Sequence, residues 1–358
     1  MSAEYLSGVW LIVTLELRQR VRGVAWYVLL GVFVVLVGLV TLLVWLAAGT
    51  WQAGGSLVFS AVVFFVLLLA TLVSPALSGN AINGDREAGT LATTQVTLIG
   101  TGQLILGKFL AAWITALAFL AAAVPFLVTA VLLGEVAPGT IVVSLLVLAA
   151  ELGVIAAVGV GLSGILTRPL FSIVTTYLLV ALLSLGTLIS FGLLGTATQS
   201  TRTSVDRTVV SSTYDDETGT QTDVVCSEPT TSTYQTPRFD YYWWILAANP
   251  YVVLADAAPG EFDARGNTVD MFGGIAVAVR SAQLPPELYS ENNYCNPGAF
   301  TVDDSSGYRS SQETYDSTVP SWFVGLGIHL LLGAGALLWA WRRTNTPARR
   351  LPTGSRIA

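Results

Sequence analysis

Six stretches of the chain are apolar almost without interruption: Val24–Ala48, Ser56–Leu77, Phe109–Leu133, Thr140–Leu166, Leu170–Leu194 and Ser321–Trp341. About 20 predominantly apolar residues let a helix cross the hydrocarbon core, so each stretch reads as a transmembrane helix. The first runs for 25 residues behind a charged lead of 23. That is too long for the core of a signal peptide, typically about 7–15 residues, and it reads as a retained span. In the lead, Leu6, Val9, Trp10, Val13, Leu17 and Val21 recur at helical spacing, with Glu16, Arg18, Gln19 and Arg20 opposite. This pattern predicts an amphipathic helix lying on the membrane surface.

Between the fifth and sixth spans the pattern changes. Residues 198–237 are rich in Ser and Thr and show little periodicity. Two apolar islands follow, Tyr241–Ala258 and Val269–Val279; the second has only 11 residues, and Asn249–Pro250 breaks the first. Both read as interfacial or re-entrant helices that do not cross. The expected fold is therefore an all-α polytopic membrane protein. It comprises an interfacial helix (1–23), spans one to five (24–194) with a polar loop at 78–107, a large extracellular insert with membrane-dipping segments (195–319), span six (320–341) and a basic tail (342–358).

Composition agrees: 53% of residues are hydrophobic and only 11% charged, with a mean hydropathy of +0.66. Soluble domains carry roughly 25% charged residues. Charge is divided by region. Thr198–Val319 holds 17 of the 23 acidic residues and six Arg, a net −11, which leaves +5 on the remainder. Outside the insert the basic residues are Arg18, Arg20, Arg22, Arg86, Lys108, Arg168, Arg342, Arg343, Arg349, Arg350 and Arg356. In the six-span topology all of them fall on one face, so that face is read as cytoplasmic. Both termini then lie inside, the acidic insert outside, and the protein is a multi-pass protein of the plasma membrane. Trp26, Trp113, Trp339 and Trp341 fall at inner span ends, and Trp45, Trp51 and Trp322 at outer ends, as an aromatic belt requires.

Candidate chemistry is sparse. Gly102–Lys108 matches G-x-x-x-x-G-K, but Phe109 stands where a phosphate loop needs Ser or Thr, and a span begins at once. Gly159–Gly164 matches G-x-G-x-x-G inside a span, where small residues serve helix packing. A single His excludes most His-based catalysis and metal clusters. The chain is therefore expected to be no enzyme, with no catalytic, cofactor-binding or metal-binding residues and no nucleic-acid partner. Two ionisable residues lie within spans, Glu151 and His329. Such groups are costly in lipid and mark function by default. Counted inward at ~1.5 Å per residue, they sit about 16 Å and 14 Å deep, close enough to meet. Cys226 and Cys295, the only cysteines, both fall in the insert and are expected to form one disulfide.

The loop between spans two and three reads Pro75-Ala-Leu-Ser-Gly-Asn-Ala-Ile-Asn-Gly-Asp85-Arg86-Glu87-Ala-Gly89-Thr90-Leu91, with Leu98, Gly107 and Lys108 beyond. It resembles ABC-2-type transporter permeases, the membrane subunits of ATP-binding-cassette exporters, in Glu87, Gly89, Thr90, Leu91, Gly107 and Lys108. The six-span topology, the leading amphipathic helix and the membrane-dipping segments before span six resemble that family too, although the insert is larger than in many members. The resemblance implies an exporter permease moving an unidentified substrate outward. It also implies a second permease chain and a separate ATPase subunit that carries the ATP and magnesium and docks on Asp85, Arg86, Glu87, Gly89, Thr90 and Leu91. Two other readings stand beside it: an ion- or proton-coupled secondary transporter using Glu151 and His329, and a membrane-anchored extracellular binding module.

Overall fold

The computed structural model describes residues 3–51, 54–89, 99–134, 136–215, 220–295 and 309–345. In chain order the helices begin with α1 (Ala3–Arg22), α2 (Val24–Trp51), α3 (Gly55–Ser78), α4 (Asn83–Glu87), α5 (Thr101–Leu132) and α6 (Pro138–Ile165). A fifth span follows, built from α7 (Pro169–Ala181), a π-helical turn (Leu182–Gly186) and α8 (Thr187–Ala197). The insert contributes α9 (Pro250–Ala257), α10 (Met271–Ser281) and α11 (Ser311–Ser317) before the last span, α12 (Trp322–Thr344). Among the described residues six helices are long and apolar enough to cross a membrane.

α3 and α6 form the buried centre. Val62, Val63, Val66 and Leu67 of α3 pack with Leu148 and Leu152 of α6, Phe119 and Ala123 of α5, and Phe33 and Val37 of α2. Outward, α2 and the fifth span expose Val28, Val35 and Leu46, and Leu178, Leu185 and Leu193. Lipid tails are as apolar as leucine, so close backbone approach and polar contacts decide which helices pair. The glycines of the G-x-G-x-x-G run act in this way. A Cβ on Gly159 would meet Ser78 Oγ, and one on Gly161 or Gly164 would lie 2.6 Å or 2.7 Å from the Cβ of Ala336 or Ala340. Gly107 of the G-K pair is likewise a contact point, since its Cβ would come within 2.7 Å of Ile12.

Four sequence expectations need correction. The third span begins at Thr101, eight residues before Phe109, so Lys108 lies inside a helix. Its ammonium is buried but neutralised by Glu16 and by Asp85 at 2.8 Å. α1 is helical as expected, but it packs on α5 through Val9, Ile12 and Val13 and leaves Trp10 63% exposed. Glu16 and Arg20, assigned to its polar face, turn inward; Arg20 donates to Thr115 Oγ1 and the Leu77 carbonyl, both at 3.2 Å. Trp113 is no belt residue, for its indole N–H donates to Ala149 O at 2.9 Å inside the bundle. The side chain of Trp51 lies outside the described residues.

The fourth correction is to the all-α class. The insert folds strands β1 (Gln199–Arg207), β2 (Val209–Asp215), β3 (Thr220–Cys226), β4 (Thr230–Pro237) and β5 (Tyr289–Asn293). β1 lies between antiparallel β4 and parallel β5, with Arg202 opposite Tyr234 and Ser204 opposite Ser290; β2 and β3 form a separate antiparallel pair. Thr and Val are β-branched and suit extended backbone. Ser and Thr occupy both faces of β1 and β4, so no apolar alternation marks them as strands. The Cys226–Cys295 disulfide joins the end of β3 to the chain just past β5, across 69 residues and a Cα–Cα distance of 5.9 Å. In the chain-entropy model such a loop closure contributes on the order of 4 kcal/mol.

Candidate functional site

α6 and α12 run parallel with almost no side-chain volume between them. Besides the glycines of α6, Gly333 of α12 faces Ala157, where a Cβ would sit 3.2 Å away. This close approach brings Glu151 and His329 together. Nδ1 of His329 lies 2.8 Å and 3.0 Å from the two carboxyl oxygens of Glu151, and both residues are 1% exposed. The other ring nitrogen, Nε2, lies 2.9 Å from the carbonyl oxygen of Ala248.

Ala248 belongs to the first apolar island. That segment is a 3₁₀ stretch (Trp243–Ala248), then the Asn249–Pro250 turn, then α9. Asn249 caps α9 by accepting from Tyr251 N at 2.9 Å. Its amide also donates to Ser184 O at 2.7 Å and Thr187 Oγ1 at 2.9 Å. Ser184 lies in the π turn, the kind of helix irregularity that offers an extra acceptor. At the far end of α9, Asp256 binds the start of α12, so the Asn249 turn lies about 10 Å deeper, seven residues at ~1.5 Å each. The segment thus reaches the level of His329, turns at Asn249–Pro250 between the fifth and sixth long apolar helices, and returns along α9 to the start of α12. At eight residues, α9 is too short to cross. A cavity of about 30 Å³ beside the pair is lined by Glu151, His329, Thr71, Pro250 and aliphatic side chains of α6 and the fifth span.

Two further polar nodes fasten the insert to the bundle, and neither has a sequence signature. In one, Asp256 accepts from Arg280 Nε at 2.6 Å, from Ser321 N at 2.5 Å and from Trp322 N at 3.0 Å. Arg280 also donates to Tyr315 O at 2.9 Å and stacks on the Tyr315 ring at 3.8 Å. In the other, Glu261 accepts from Ser56 Oγ at 2.5 Å and Ala137 N at 2.8 Å, binding the starts of α3 and α6. Asp270 caps α10: its Oδ1 accepts from Gly273 N and Glu261 N, while the buried Oδ2 has no hydrogen-bond partner.

Burial, with a smaller effect from neighbouring Glu261, pushes the Asp270 carboxyl up to about 6. The folded protein therefore holds this proton where the unfolded chain has lost it. Stability is expected to fall as pH rises from about 4 to 6, by on the order of 3 kcal/mol, and to level off above. Asp270→Asn should flatten that slope in detergent-unfolding curves; an unchanged slope would assign it to another group.

At the opposite end of the bundle, α4 is held tightly. Ser163 Oγ of α6 accepts from Ile82 N at 2.9 Å and Asn83 N at 3.0 Å. Asp85 pairs with Lys108, and Arg86 donates to Leu166 O at 3.1 Å, closing the end of α6. Glu87 is exposed and Gly89, at φ +69°, ends the helix in the left-handed conformation that glycine favours. So the structure turns Asp85 and Arg86 toward the bundle and leaves Glu87 and Gly89 outward. Thr90, Leu91 and Leu98, and Arg349, Arg350 and Arg356 of the tail, lie outside the described residues. Among the described residues no group of three or more His, Cys, Asp or Glu is placed to hold a metal ion. Comparison of the chain with protein-family models and with curated proteins finds no match.

Proposed function

We propose that this chain is the permease subunit of an ABC exporter, moving a substrate outward with ATP hydrolysed on a separate subunit. On this reading two permease chains pair in the plasma membrane, with the face bearing α1 and α4 cytoplasmic and the insert outside. One observation carries the reading. The five-residue helix α4 is tied to α6 by Ser163 and Arg86, and to α5 and α1 through Asp85 and Lys108, while its last turn faces solvent. A short helix fixed to three others can pass a push at its exposed end into the bundle. Arg168 follows the end of α6, and Arg342 and Arg343 lie in the last turn of α12, on this same face, which supports its cytoplasmic assignment.

The test is co-purification with an ATPase subunit, followed by an assay of ATP hydrolysis. Glu87→Lys is the informative variant, because Arg86 and Asp85 serve the fold. It should leave the chain folded, weaken capture of the ATPase about tenfold and lower coupled hydrolysis in proportion. Unchanged capture and hydrolysis would reduce α4 to a linker. Substrate movement in vesicles driven by a pH gradient without ATP would replace the reading with proton-coupled secondary transport.

A further inference from the structure

We propose that Glu151, His329 and the Ala248 carbonyl form a proton-binding site, and that its one dissociable proton fastens the re-entrant turn to the membrane bundle. The inference rests on hydrogen-bond geometry and holds whichever energy source drives the protein.

The protons can be counted. A carbonyl oxygen only accepts, so Nε2, 2.9 Å from Ala248 O, must carry hydrogen. Nδ1 faces the carboxyl group at 2.8 Å and 3.0 Å, which requires a second proton between them. It sits either on Nδ1, giving an imidazolium against a carboxylate, or on the carboxyl group, which then donates to a neutral ring. Both forms satisfy both arms, and both leave the pair with no net charge, as an apolar surrounding demands.

Removing one proton leaves a neutral imidazole between two acceptors, so one arm must fail. If hydrogen stays on Nε2, the Nδ1 lone pair faces an ionised carboxylate. If it moves to Nδ1, the Nε2 lone pair faces the carbonyl. The carboxylate is the stronger acceptor, so the remaining proton goes to Nδ1 and the Ala248 arm is the one lost. The turn then keeps the Asn249 hydrogen bonds to Ser184 and Thr187 of the fifth span but has lost its tie to α12 through His329.

The surroundings isolate this proton. Glu151 and His329 are the only titratable side chains that line the cavity; α3 adds Thr71, and α6 and the fifth span add aliphatic groups. The other titratable side chain of the turn, Tyr251, points its hydroxyl at Thr71 Oγ1, 3.4 Å away. At about 30 Å³ the adjacent, mainly aliphatic cavity exceeds the roughly 10–15 Å³ that one water needs, so a departing proton has room for a single water beside the pair and no other titratable side chain.

Glu151→Gln separates the proton from the shape. The substituted amide donates to a neutral Nδ1, or accepts from a protonated one, while Nε2–H still donates to Ala248, so both arms survive without a carboxylate to compete for the ring proton. The experiment measures hydrogen-exchange protection of the Asn249–Leu254 amides in the full chain in nanodiscs. It spans about pH 5 to 9, corrected for intrinsic exchange, and bracketing the ordinary histidine value of ~6.5. The wild type should lose protection by on the order of tenfold or more, the effect of one charge-assisted hydrogen bond, with a one-proton midpoint. Glu151→Gln should stay protected throughout. The chain has one histidine, so the ¹⁵N signals of its ring report His329 alone, and they should change with the same midpoint. Protection that is independent of pH in the wild type, or a ring that titrates while the turn stays unchanged, would overturn the proposal without touching the exporter reading. Should the variant not fold, the wild-type ring and turn midpoints decide the matter between them.

Discussion

Asp256→Ala is expected to be the most destabilising single change in the insert, at about 3–5 kcal/mol, the usual result of removing one partner from a buried ion pair. The size follows from what is left behind. Arg280 stays buried without its carboxylate, and the first backbone amides of α12, at Ser321 and Trp322, lose their only acceptor shown for them. A cap on its own is typically worth about 1 kcal/mol, so most of the effect comes from the orphaned guanidinium. Asp256→Asn keeps an acceptor for α12 and should cost less. Pairing Asp256→Ala with Arg280→Met should restore part of the loss. Unfolding in a detergent titration, read by tryptophan fluorescence, measures all three. A loss below about 1 kcal/mol for Asp256→Ala would mean that water reaches the node and screens it.

The second large effect concerns the intramembrane pair. Glu151→Leu and His329→Leu should each cost about 3 kcal/mol, and the double replacement should cost clearly less than their sum. Neutral interhelical hydrogen bonds in lipid average only about 0.6 kcal/mol, so a lost hydrogen bond alone would give a small, nearly additive cycle. A single replacement here strands an ionisable group in an apolar interior, and the double replacement removes both. A coupling energy of about 2 kcal/mol in the double-mutant cycle separates these cases. Additive losses near 0.6 kcal/mol each would show that neither group is charged in the folded state.

Much of the membrane body was legible in the sequence, because the hydrocarbon core imposes one requirement on every span. The meeting of Glu151 and His329 followed from depth alone: two helices entering from the same face place residues at equal counts at equal heights. Depth could not reveal the third partner, Ala248, because backbone carbonyls carry no sequence signal; the Asn249–Pro250 break marked only where the chain turns. The strands of the insert were hidden by Ser and Thr on both faces. The third span was read short because Lys108 looked like a boundary. Glu16 and Asp85, 92 and 23 residues away, neutralise it, and no local pattern reports partners so distant. For the same reason Asp85 and Arg86 read as a free docking surface, although both are engaged within the bundle.

The parallel seam between α6 and α12 limits how this protein can move. With glycine and alanine backbones in close contact over about two turns, from Ala157 and Gly333 to Gly164 and Ala340, neither helix can slide past the other without opening a gap there. They behave mechanically as one thick rod, and spin labels placed on their solvent-side ends should keep a constant separation through any conformational change of the protein. Displacement must then be carried by the elements at the rim, α2 and the fifth span, whose outward faces are exposed and apolar. In the fifth span, the π turn that receives Asn249 is the one irregular point, and it is where such a rim helix would bend.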